Sequence, residues 1–251
     1  MNREQLKKAL KALRLLESAQ CLDEILSYSG KEALCHEDFL IELITRETNS
    51  KVNGKINTYL KDSGLDQRKT LEAFEMERLD QRLLGQLKNL RRGEFLKRRE
   101  NVLAFGNPGS GKTHLLTGLC MELCRQQQRV LFRTCEDLVE ELLIQKNALN
   151  LSKYLKKLDK FNLIFIDDIG YVQKSREEME VLFSLLAYRY ERGSVMITSN
   201  LMFSEWGKIF KDPVTTVAVI DRVVHHSVIL EMNLGSYRAD EAKKNRDTPP
   251  S

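Results

Sequence analysis

The residues from Gly106 to Thr113 read GNPGSGKT, and the predicted architecture follows from this loop. It matches the pattern G-x-x-x-x-G-K-[ST], in which glycines let a loop turn back so that several backbone N–H groups point at one anion. An apolar run, 102–105, precedes the loop, and a stretch with helical periodicity, 114–124, follows it. The sequence therefore predicts a strand, a phosphate-binding loop and a helix whose positive N-terminal end faces the same phosphate.

The predicted nucleotide-binding residues are those of this P-loop and the residue after it: Gly106, Asn107, Pro108, Gly109, Ser110, Gly111, Lys112, Thr113 and His114. Lys112 is expected to reach the β- and γ-phosphates, and the hydroxyl of Thr113 to hold Mg²⁺. A glycine-rich turn without a ligand is the alternative interpretation. The strand, the Lys-Thr pair and the helix all stand where a P-loop needs them, and they favour nucleotide binding.

Length and composition predict one sizeable core and a second, smaller domain, because the chain has 251 residues with 42% hydrophobic and 30% charged residues. The formal net charge of +4 is mildly basic and does not by itself indicate a nucleic-acid partner. The five cysteines have no CxxC spacing, which is typical of a reduced chain. No apolar run approaches the roughly 20 residues of a membrane span. We therefore expect a cytoplasmic protein without a membrane partner.

The chain is expected to have four parts. Helical periodicity and the lack of a strand pattern in the first part indicate a small all-α domain, with breaks at Ser29-Gly30 and Asp62-Ser63-Gly64. The parts are an N-terminal helical domain at 1–65, a basic amphipathic connector at 66–100, an ATPase-like α/β domain at 101–240 and a disordered tail at 241–251.

Two basic surfaces are candidates for DNA contact. In the helical domain the candidates are Arg46, Lys51 and Lys55, and a solvated helix face remains open as the alternative. In the connector, Glu94 is the one acid opposing the positive charges between Arg82 and Arg99, so basic residues there can neutralise phosphates. These residues are Lys88, Arg91, Arg92, Lys97, Arg98 and Arg99. The interleaved leucines should pack on the P-loop domain, although basic amphipathic helices also lie on membranes.

From residue 101 onward, strand and helix patterns alternate, which predicts an α/β fold with a five-stranded parallel sheet flanked by helices. The predicted strands are 102–106, 129–133, 162–167, 194–198 and 227–232. The predicted helices are near 112–127, 136–158 with a break around Asn150, and 175–192.

Polar residues follow two of these strands at the edge of the sheet where ligands bind. Asp167 is placed to hold Mg²⁺, and Asp168 to orient or deprotonate an attacking water. Asn200 follows the next strand, where its amide can hydrogen-bond the γ-phosphate or that water. In each case, a turn that merely ends a strand is the alternative.

Together these parts resemble the AAA+ ATPases, with Walker A at 106–113, Walker B at 163–168 and a sensor-1 residue at Asn200. Asp221-Arg222 and the Gly-Ser-Tyr-Arg of 235–238 are similar to the IstB/DnaC branch, in particular to IstB-type helper ATPases of insertion-sequence transposition. The resemblance implies ATP and Mg²⁺ as cofactors and a homo-oligomer. It also implies duplex DNA bound with weak sequence preference and a transposase as partners.

The same resemblance implies that Arg222 is an arginine finger acting on the γ-phosphate held by a neighbouring copy, and that Arg238 is a reserve second sensor. The short sequence after Arg238 predicts a C-terminal lid that is absent or vestigial. The Asp-Asp of Walker B predicts slow hydrolysis, and an arginine supplied by a neighbouring copy implies that hydrolysis depends on assembly. A DnaC-like replicative helicase loader is the main alternative. Two further alternatives are a nucleotide switch that seldom cleaves ATP and a P-loop kinase of small molecules. The sequence gives no sign of the substrate pocket that such a kinase needs.

Overall fold

The computed structural model describes residues 2–32, 35–170, 175–206 and 213–237. The chain divides into two compact units, Met1–Thr58 and Tyr59–Ser251. The domain limits predicted at residues 65, 100 and 240 stay predictions. Arg238 and the tail at 241–251 lie outside the described residues.

The first unit is helical, as predicted. Its helices are α1 (Arg3–Ala12), α2 (Leu16–Glu32) and α3 (His36–Ser63), the last of which crosses into the second unit. Its small core is formed by Cys21, Leu22, Ile25 and Leu43. The break predicted at Ser29-Gly30 is wrong, because α2 continues to Glu32; one glycine inside a helix costs only about 1 kcal/mol. The break predicted at 62–64 is confirmed, since α3 ends at Ser63 and Gly64 has φ of 75°.

The second unit alternates strands and helices in the predicted order. The strands are β1 (Asn101–Phe105), β2 (Val130–Thr134), β3 (Leu163–Asp167), β4 (Ser194–Ser199) and β5 (Ser227–Glu231). The helices are α4 (Gln81–Leu90), α5 (Glu94–Lys97), α6 (Lys112–Arg125), α7 (Cys135–Asn147), α8 (Leu151–Leu158), α9 (Arg176–Arg189) and α10 (Pro213–Val224). The break near Asn150 is confirmed. The sequence analysis had no helix at α10, whose Val- and Thr-rich composition has low helix propensity.

The five strands form one parallel sheet in the order β2-β3-β4-β1-β5. In β1, Val102 pairs with Met196 of β4 and with Val228 of β5, which makes β1 a central strand. All five residues of β1 are buried. This explains why the predicted strands read as continuous apolar runs rather than as alternating ones.

Helices cover both faces of the sheet. Leu103 and Phe105 face one core, which also contains apolar residues of α7, α8 and α9. Val102 and Ala104 face the other core, which also contains buried residues of α4, α5 and α6. The prediction that the apolar side of the basic connector packs on the P-loop domain is thereby confirmed. All P-loop residues follow the carboxyl end of a strand that is held from both sides, so the loop has a rigid base.

Candidate functional site

The P-loop joins β1 to α6, and its glycines are required by close approaches. Gly109 and Gly111 have φ of 80° and 92°, in the left-handed region that glycine tolerates. An added Cβ at Gly106 would lie 2.1 Å from the carbonyl oxygen of Met232. An added Cβ at Gly109 would lie 2.3 Å from Oγ of Ser236, and one at Gly111 would lie 2.8 Å from Cε2 of Phe74. The loop therefore keeps its path only with glycine at these three positions.

Two groups in the loop are suited to an anion. The ammonium of Lys112 donates to the carbonyl oxygens of Gly106 (2.7 Å) and Asn107 (3.0 Å), so a positive charge is held along the loop. Ser110 is fully buried, and its hydroxyl has no hydrogen-bond partner among the described residues. Helix α6 begins at Lys112, so its unpaired N–H groups face the same space. This arrangement can bind the phosphates of a nucleotide.

Thr113 and Asp167, the predicted Mg²⁺ ligands, lie together. The hydroxyl of Thr113 donates to Oδ1 of Asp167 at 2.8 Å. Neighbouring ligands of an octahedral Mg²⁺ at about 2.0–2.1 Å are separated by about 2.9 Å, so these two oxygens fit adjacent positions of one ion. No cluster of three or more His, Cys, Asp or Glu ligands occurs in the described part of the chain. The remaining ligands of such an ion would be phosphate oxygens and water.

Thr198 is a member of the site that the sequence analysis did not include. Its hydroxyl donates to Oδ1 of Asp167 at 2.6 Å and accepts from the backbone N–H of Asp168 at 2.7 Å. One side chain at the end of β4 thus holds both carboxylate residues at the end of β3. The pairing of β3 with β4 predicts this proximity, because the carboxyl ends of adjacent parallel strands meet at one edge.

Asp168 and Asn200 lie at the same edge of the sheet. Asp168 is exposed and has φ of 63°, an uncommon left-handed conformation for a residue other than glycine. Asn200 follows β4, and its buried side-chain oxygen Oδ1 has no hydrogen-bond partner among the described residues. An unpaired buried amide oxygen is costly unless a ligand or a water satisfies it. The geometry is therefore compatible with the predicted roles of both residues toward a water near the γ-phosphate.

A pocket of about 230 Å³ adjoins the loop. Besides Lys112 and Thr113, it is lined by residues of the connector and of the segment after β5, among them Phe74, Arg78 and Tyr237. His114 lines it too, with its ring Nε2 2.9 Å from the carbonyl oxygen of Thr70 and its ring nearly perpendicular to that of Phe74. The sequence analysis missed Phe74, Arg78 and Tyr237, because they come from segments distant from the loop. Aromatic and polar side chains together next to a phosphate loop are suited to a nucleotide base and sugar.

Arg222 lies at the opposite edge of the sheet. It is on the last turn of α10, just before β5 begins, and it shares a second pocket with Asn101 at the start of β1. Its guanidinium donates to the carbonyl oxygen of Ala218 (3.3 Å) and stacks over the ring of Phe183 (5.3 Å). The P-loop follows the far end of β1, so the structure does not bring Arg222 to the nucleotide site of its own copy.

Three of the six basic residues predicted to contact DNA from the connector form ion pairs. Arg91 bonds Glu122 (2.6 Å), Lys97 bonds Glu94 (2.9 Å) and Arg98 bonds Glu100 (2.8 Å). Hydrogen bonds from Lys97 and Arg98 lower the pKa values of Glu94 and Glu100. The expectation that Glu94 alone opposes this charge is wrong, because Glu122 and Glu100 also form ion pairs with connector arginines. Glu122 is on α6, 31 positions along the chain from Arg91. Lys88 and Arg92 are exposed and have no ion pair within the described residues.

The basic residues predicted in the first unit are also paired in part. Arg46 bonds Glu24 (2.9 Å) and Glu42 (2.7 Å), and Lys51 lies 3.4 Å from Glu47. Exposed ion pairs are worth only about 0–1 kcal/mol, so a phosphate can replace the carboxylate in such a pair. DNA contact by these residues stays a prediction.

Two further observations concern the cysteines and the helices. Cys120 and Cys124 are buried, and burial raises the pKa of Cys120 and raises that of Cys124 to about 11. Thiols that resist ionisation are poor metal ligands. Within the described residues, no helix is both long and apolar enough to cross a bilayer.

Comparisons with known proteins place this geometry in context. The profile of a family described as "IstB-like ATP binding protein" matches residues 8–245. A Sinorhizobium fredii protein whose name contains "insertion sequence ATP-binding protein" is 40% identical, over 84% of this chain and 72% of its own length. A Pseudomonas aeruginosa protein named for the insertion sequence IS21 and for ATP binding is 33% identical, over 94% of this chain and 89% of its own length.

Solved structures share the fold. DnaA from Aquifex aeolicus with bound AMPPCP matches with a TM-score of 0.54 and 17% identity, over 75% of this chain and 58% of that chain. DnaI matches with a TM-score of 0.53 and 20% identity, over 66% of this chain and 89% of that chain. Identities this low show the fold alone. The predicted fold class, a P-loop fold of the AAA+ type with a five-stranded parallel sheet, is confirmed.

Proposed function

Because the chain belongs to the IstB-like ATP-binding protein family, we propose that it is an ATP-dependent, DNA-binding helper of a DNA transposase. It acts in the cytoplasm, binds ATP and Mg²⁺ between copies of itself, and assembles on duplex DNA with weak sequence preference. The assembled protein prepares target DNA for the transposase and hydrolyses ATP slowly.

The observation that carries the proposal is the separation of Lys112 from Arg222. Lys112 and Arg222 lie at opposite edges of one sheet, so a single copy cannot apply both to the same triphosphate. A neighbouring copy can supply the arginine, and nucleotide binding then stabilises the assembly. The names of two relatives contain the words "insertion sequence", and these names support the link to transposition.

The residues at the carboxyl edge of the sheet would divide the chemistry among them. Thr113 and Asp167 would hold Mg²⁺, which supplies charge neutralisation at the phosphates. Asp168 accepts a proton from a water whose oxygen bonds to the γ-phosphorus, while the bond from that phosphorus to the β,γ-bridging oxygen breaks and ADP leaves. Asn200 orients this water through its amide, and Arg222 of another copy stabilises the charge that develops. An aspartate reaches less far than a glutamate, which is consistent with slow turnover.

The DNA contacts in this proposal are to phosphates. Exposed Lys88 and Arg92 make them first, and paired residues such as Arg91 join by exchanging their carboxylate partners for phosphate oxygens. Phosphate contacts carry no sequence information, so sequence preference is weak. The helicase-loader alternative predicts a preference for single strands over duplex.

The experiment that tests the proposal mixes two inactive variants. Arg222→Ala should bind ATP normally yet lose hydrolysis, and Asp168→Asn should do the same for the opposite reason. A 1:1 mixture should recover up to about a quarter of wild-type activity, because one interface in four pairs an intact site with an intact arginine. No recovery in the mixture, or normal hydrolysis by Arg222→Ala alone, would contradict an arginine supplied by a neighbour.

A further inference from the structure

The pocket that contains Arg222 lies at the amino-terminal edge of the sheet and has a volume of about 280 Å³. Asn101 is the first residue of β1, Val195 is the second residue of β4, and His226 immediately precedes β5; all three line the pocket. The length of β1 separates this edge from the P-loop by roughly 16 Å, at about 3.3 Å per residue. The pocket is therefore a separate cavity and not an extension of the nucleotide site.

The pocket is strongly cationic. Among the described residues its lining contains a single carboxylate, that of Glu191, and four guanidinium groups: Arg98, Arg99, Arg189 and Arg222. Glu100 neutralises Arg98 through two bonds of 2.8 Å. Arg99 and Arg222, in contrast, donate to backbone carbonyls of Glu191 and Ala218. The net positive charge of the pocket therefore comes mainly from groups that no nearby carboxylate cancels.

Arg189 contributes a buried charge to the lining of the pocket. Its side chain is 1% exposed, and Nη2 donates to the carbonyl oxygens of Phe161 (3.1 Å) and Ser194 (3.2 Å). Its Nε has no hydrogen-bond partner among the described residues, and the carboxylate of Asp159 is 4.0 Å away. Arginine stays protonated in proteins, so this site keeps an incompletely matched positive charge at low dielectric. An anion in the pocket would be attracted by that charge.

The position of Arg99 is set by an unusual backbone. Arg99 and Glu191 both have left-handed φ, of 56° and 57°, at a cost of about 1–2 kcal/mol each. The guanidinium of Arg99 donates to the backbone carbonyl of Glu191, which joins the chain after α5 to the turn after α9. Strained residues of this kind persist where the surrounding structure holds them, often at functional sites. Here they keep the Arg99 side chain in the pocket that Arg222 also lines.

We propose that Arg99 is a second arginine of the site between copies: the pocket receives the γ-phosphate bound by a neighbouring copy, and Arg99 and Arg222 both contact it. This inference rests on the proposed function. It changes the role predicted for Arg99, which the sequence placed among the DNA contacts.

The shape of the pocket favours a terminal phosphate over a DNA backbone. Arg99 is exposed, but Arg222 is half-buried and Arg189 is fully buried, so a ligand has to enter a recess to reach all three. A terminal phosphate offers three oxygens to several guanidinium groups at once, whereas a phosphodiester on a duplex offers two and cannot leave its strand. Lys88 and Arg92 are exposed and do not line this recess, and they suit the duplex better.

The test compares Arg99→Ala with Arg192→Ala, a matched control. Arg192 is an exposed arginine that directly follows Glu191 in the turn after α9. It stacks on Tyr188 (4.7 Å) and does not line the pocket. Assembly with ATP and with ADP is measured by analytical ultracentrifugation, together with ATP hydrolysis and the binding of a fluorescent ATP analogue to single copies. Melting temperatures establish that each variant folds, and Arg99→Lys serves as a charge-preserving variant.

Arg99→Ala is expected to bind the analogue normally but to hydrolyse ATP about 10- to 100-fold more slowly, the effect of losing one hydrogen bond to a charged group. Its assembly should lose the preference for ATP over ADP, since these nucleotides differ by the γ-phosphate alone. A merely structural defect would weaken assembly with both nucleotides in proportion. Arg192→Ala should match the wild type, and Arg99→Lys should retain part of the preference.

Three results would overturn the inference or its premise. If Arg99→Ala keeps its hydrolysis and its ATP preference while Arg222→Ala loses both, Arg99 has no such role and the proposed function stands. If Arg222→Ala also behaves as wild type, the proposed function itself is wrong. If Arg99→Ala weakens duplex binding in the Lys112→Ala background, where ATP-driven assembly is removed, the pocket binds DNA and the assignment to a γ-phosphate is wrong.

Discussion

Thr198 shows how much of the site depends on one hydroxyl. It donates to Asp167, the predicted Mg²⁺ ligand, and accepts from the N–H of Asp168, the predicted base. It is 1% exposed, so water cannot easily take over either hydrogen bond. The orientation of both aspartates toward a nucleotide therefore depends on a residue that need not touch the nucleotide itself.

We predict that Thr198→Val lowers Mg²⁺-dependent ATP hydrolysis about 10- to 100-fold, because it removes the acceptor of the Asp168 N–H and one of the two hydrogen bonds to Oδ1 of Asp167, at about 1–3 kcal/mol. Valine has nearly the same shape as threonine, so the core should stay packed. Thr198→Ser keeps the hydroxyl and should remain within a few-fold of the wild type. Steady-state phosphate release measures the effect, and equal rates for the two variants would refute this role.

Only some of the individual site residues could be predicted from the sequence. Lys112, Thr113 and Asp167 were predictable, since spacing within a known loop and the end of an apolar strand reveal them. Thr198 and Tyr237 were not, because their importance comes from contacts across the sheet that no local pattern records. The pairing of Arg91 with Glu122 was missed for the same reason, since the two residues lie on different helices.

Among the elements, α6 depends on close packing at Gly118. An added Cβ there would lie 2.7 Å from the backbone nitrogen of Leu71 and 2.8 Å from its Cδ2 atom. The connector therefore crosses α6 at the one position of that helix surface without a side chain. This contact links a wall of the nucleotide pocket to the helix that begins in the P-loop.

Gly118→Ala is predicted to destabilise the second unit by about 1–3 kcal/mol through overpacking. The matched control is Gly85→Ala in α4, where nothing lies within 4 Å of the added Cβ. Because alanine favours helix, Gly85→Ala should stabilise by up to about 1 kcal/mol. Urea titrations followed by fluorescence of Trp206, the single tryptophan and fully buried, report on this unit. A stability change of the same sign in both variants would contradict the close packing at Gly118.

The strands were predictable as elements, whereas α10 was not. A strand buried on both faces must be apolar throughout, and the sequence of β3 shows this directly. Helix α10 is rich in Val, Thr and Ile, so local propensity argues against a helix, and tertiary packing of residues such as Val223 overrides it.

At the scale of the whole molecule, the net charge of +4 understates how unevenly charge is distributed. The connector contains both paired and unpaired cations, and the two kinds should differ in their contribution to DNA binding. A free cation that binds a phosphate gains the full free energy of releasing a counterion from DNA. A paired cation must first give up its carboxylate and gains less. Salt dependence of duplex affinity separates the two kinds.

We predict that Lys88→Ala with Arg92→Ala reduces the slope of log K against log salt by up to about 1.8, or about 0.9 per phosphate contact. The control is Arg91→Ala with Lys97→Ala, which removes the same charge from residues that bond glutamates. It should reduce the slope less. Fluorescence anisotropy with duplex DNA and saturating ATP measures both, and identical slopes would mean that net charge alone controls binding.

The segment after β5 fits against the P-loop without spare room. Met232 fills the space that a side chain at Gly106 would need, and the N–H of Tyr237 donates to the carbonyl oxygen of Gly109 at 3.0 Å. The loop therefore cannot shift outward unless this segment shifts too. A force applied to the chain at Tyr237 would therefore be transmitted to Gly109 through that hydrogen bond, and a displacement of this segment would displace the phosphate-binding loop as well.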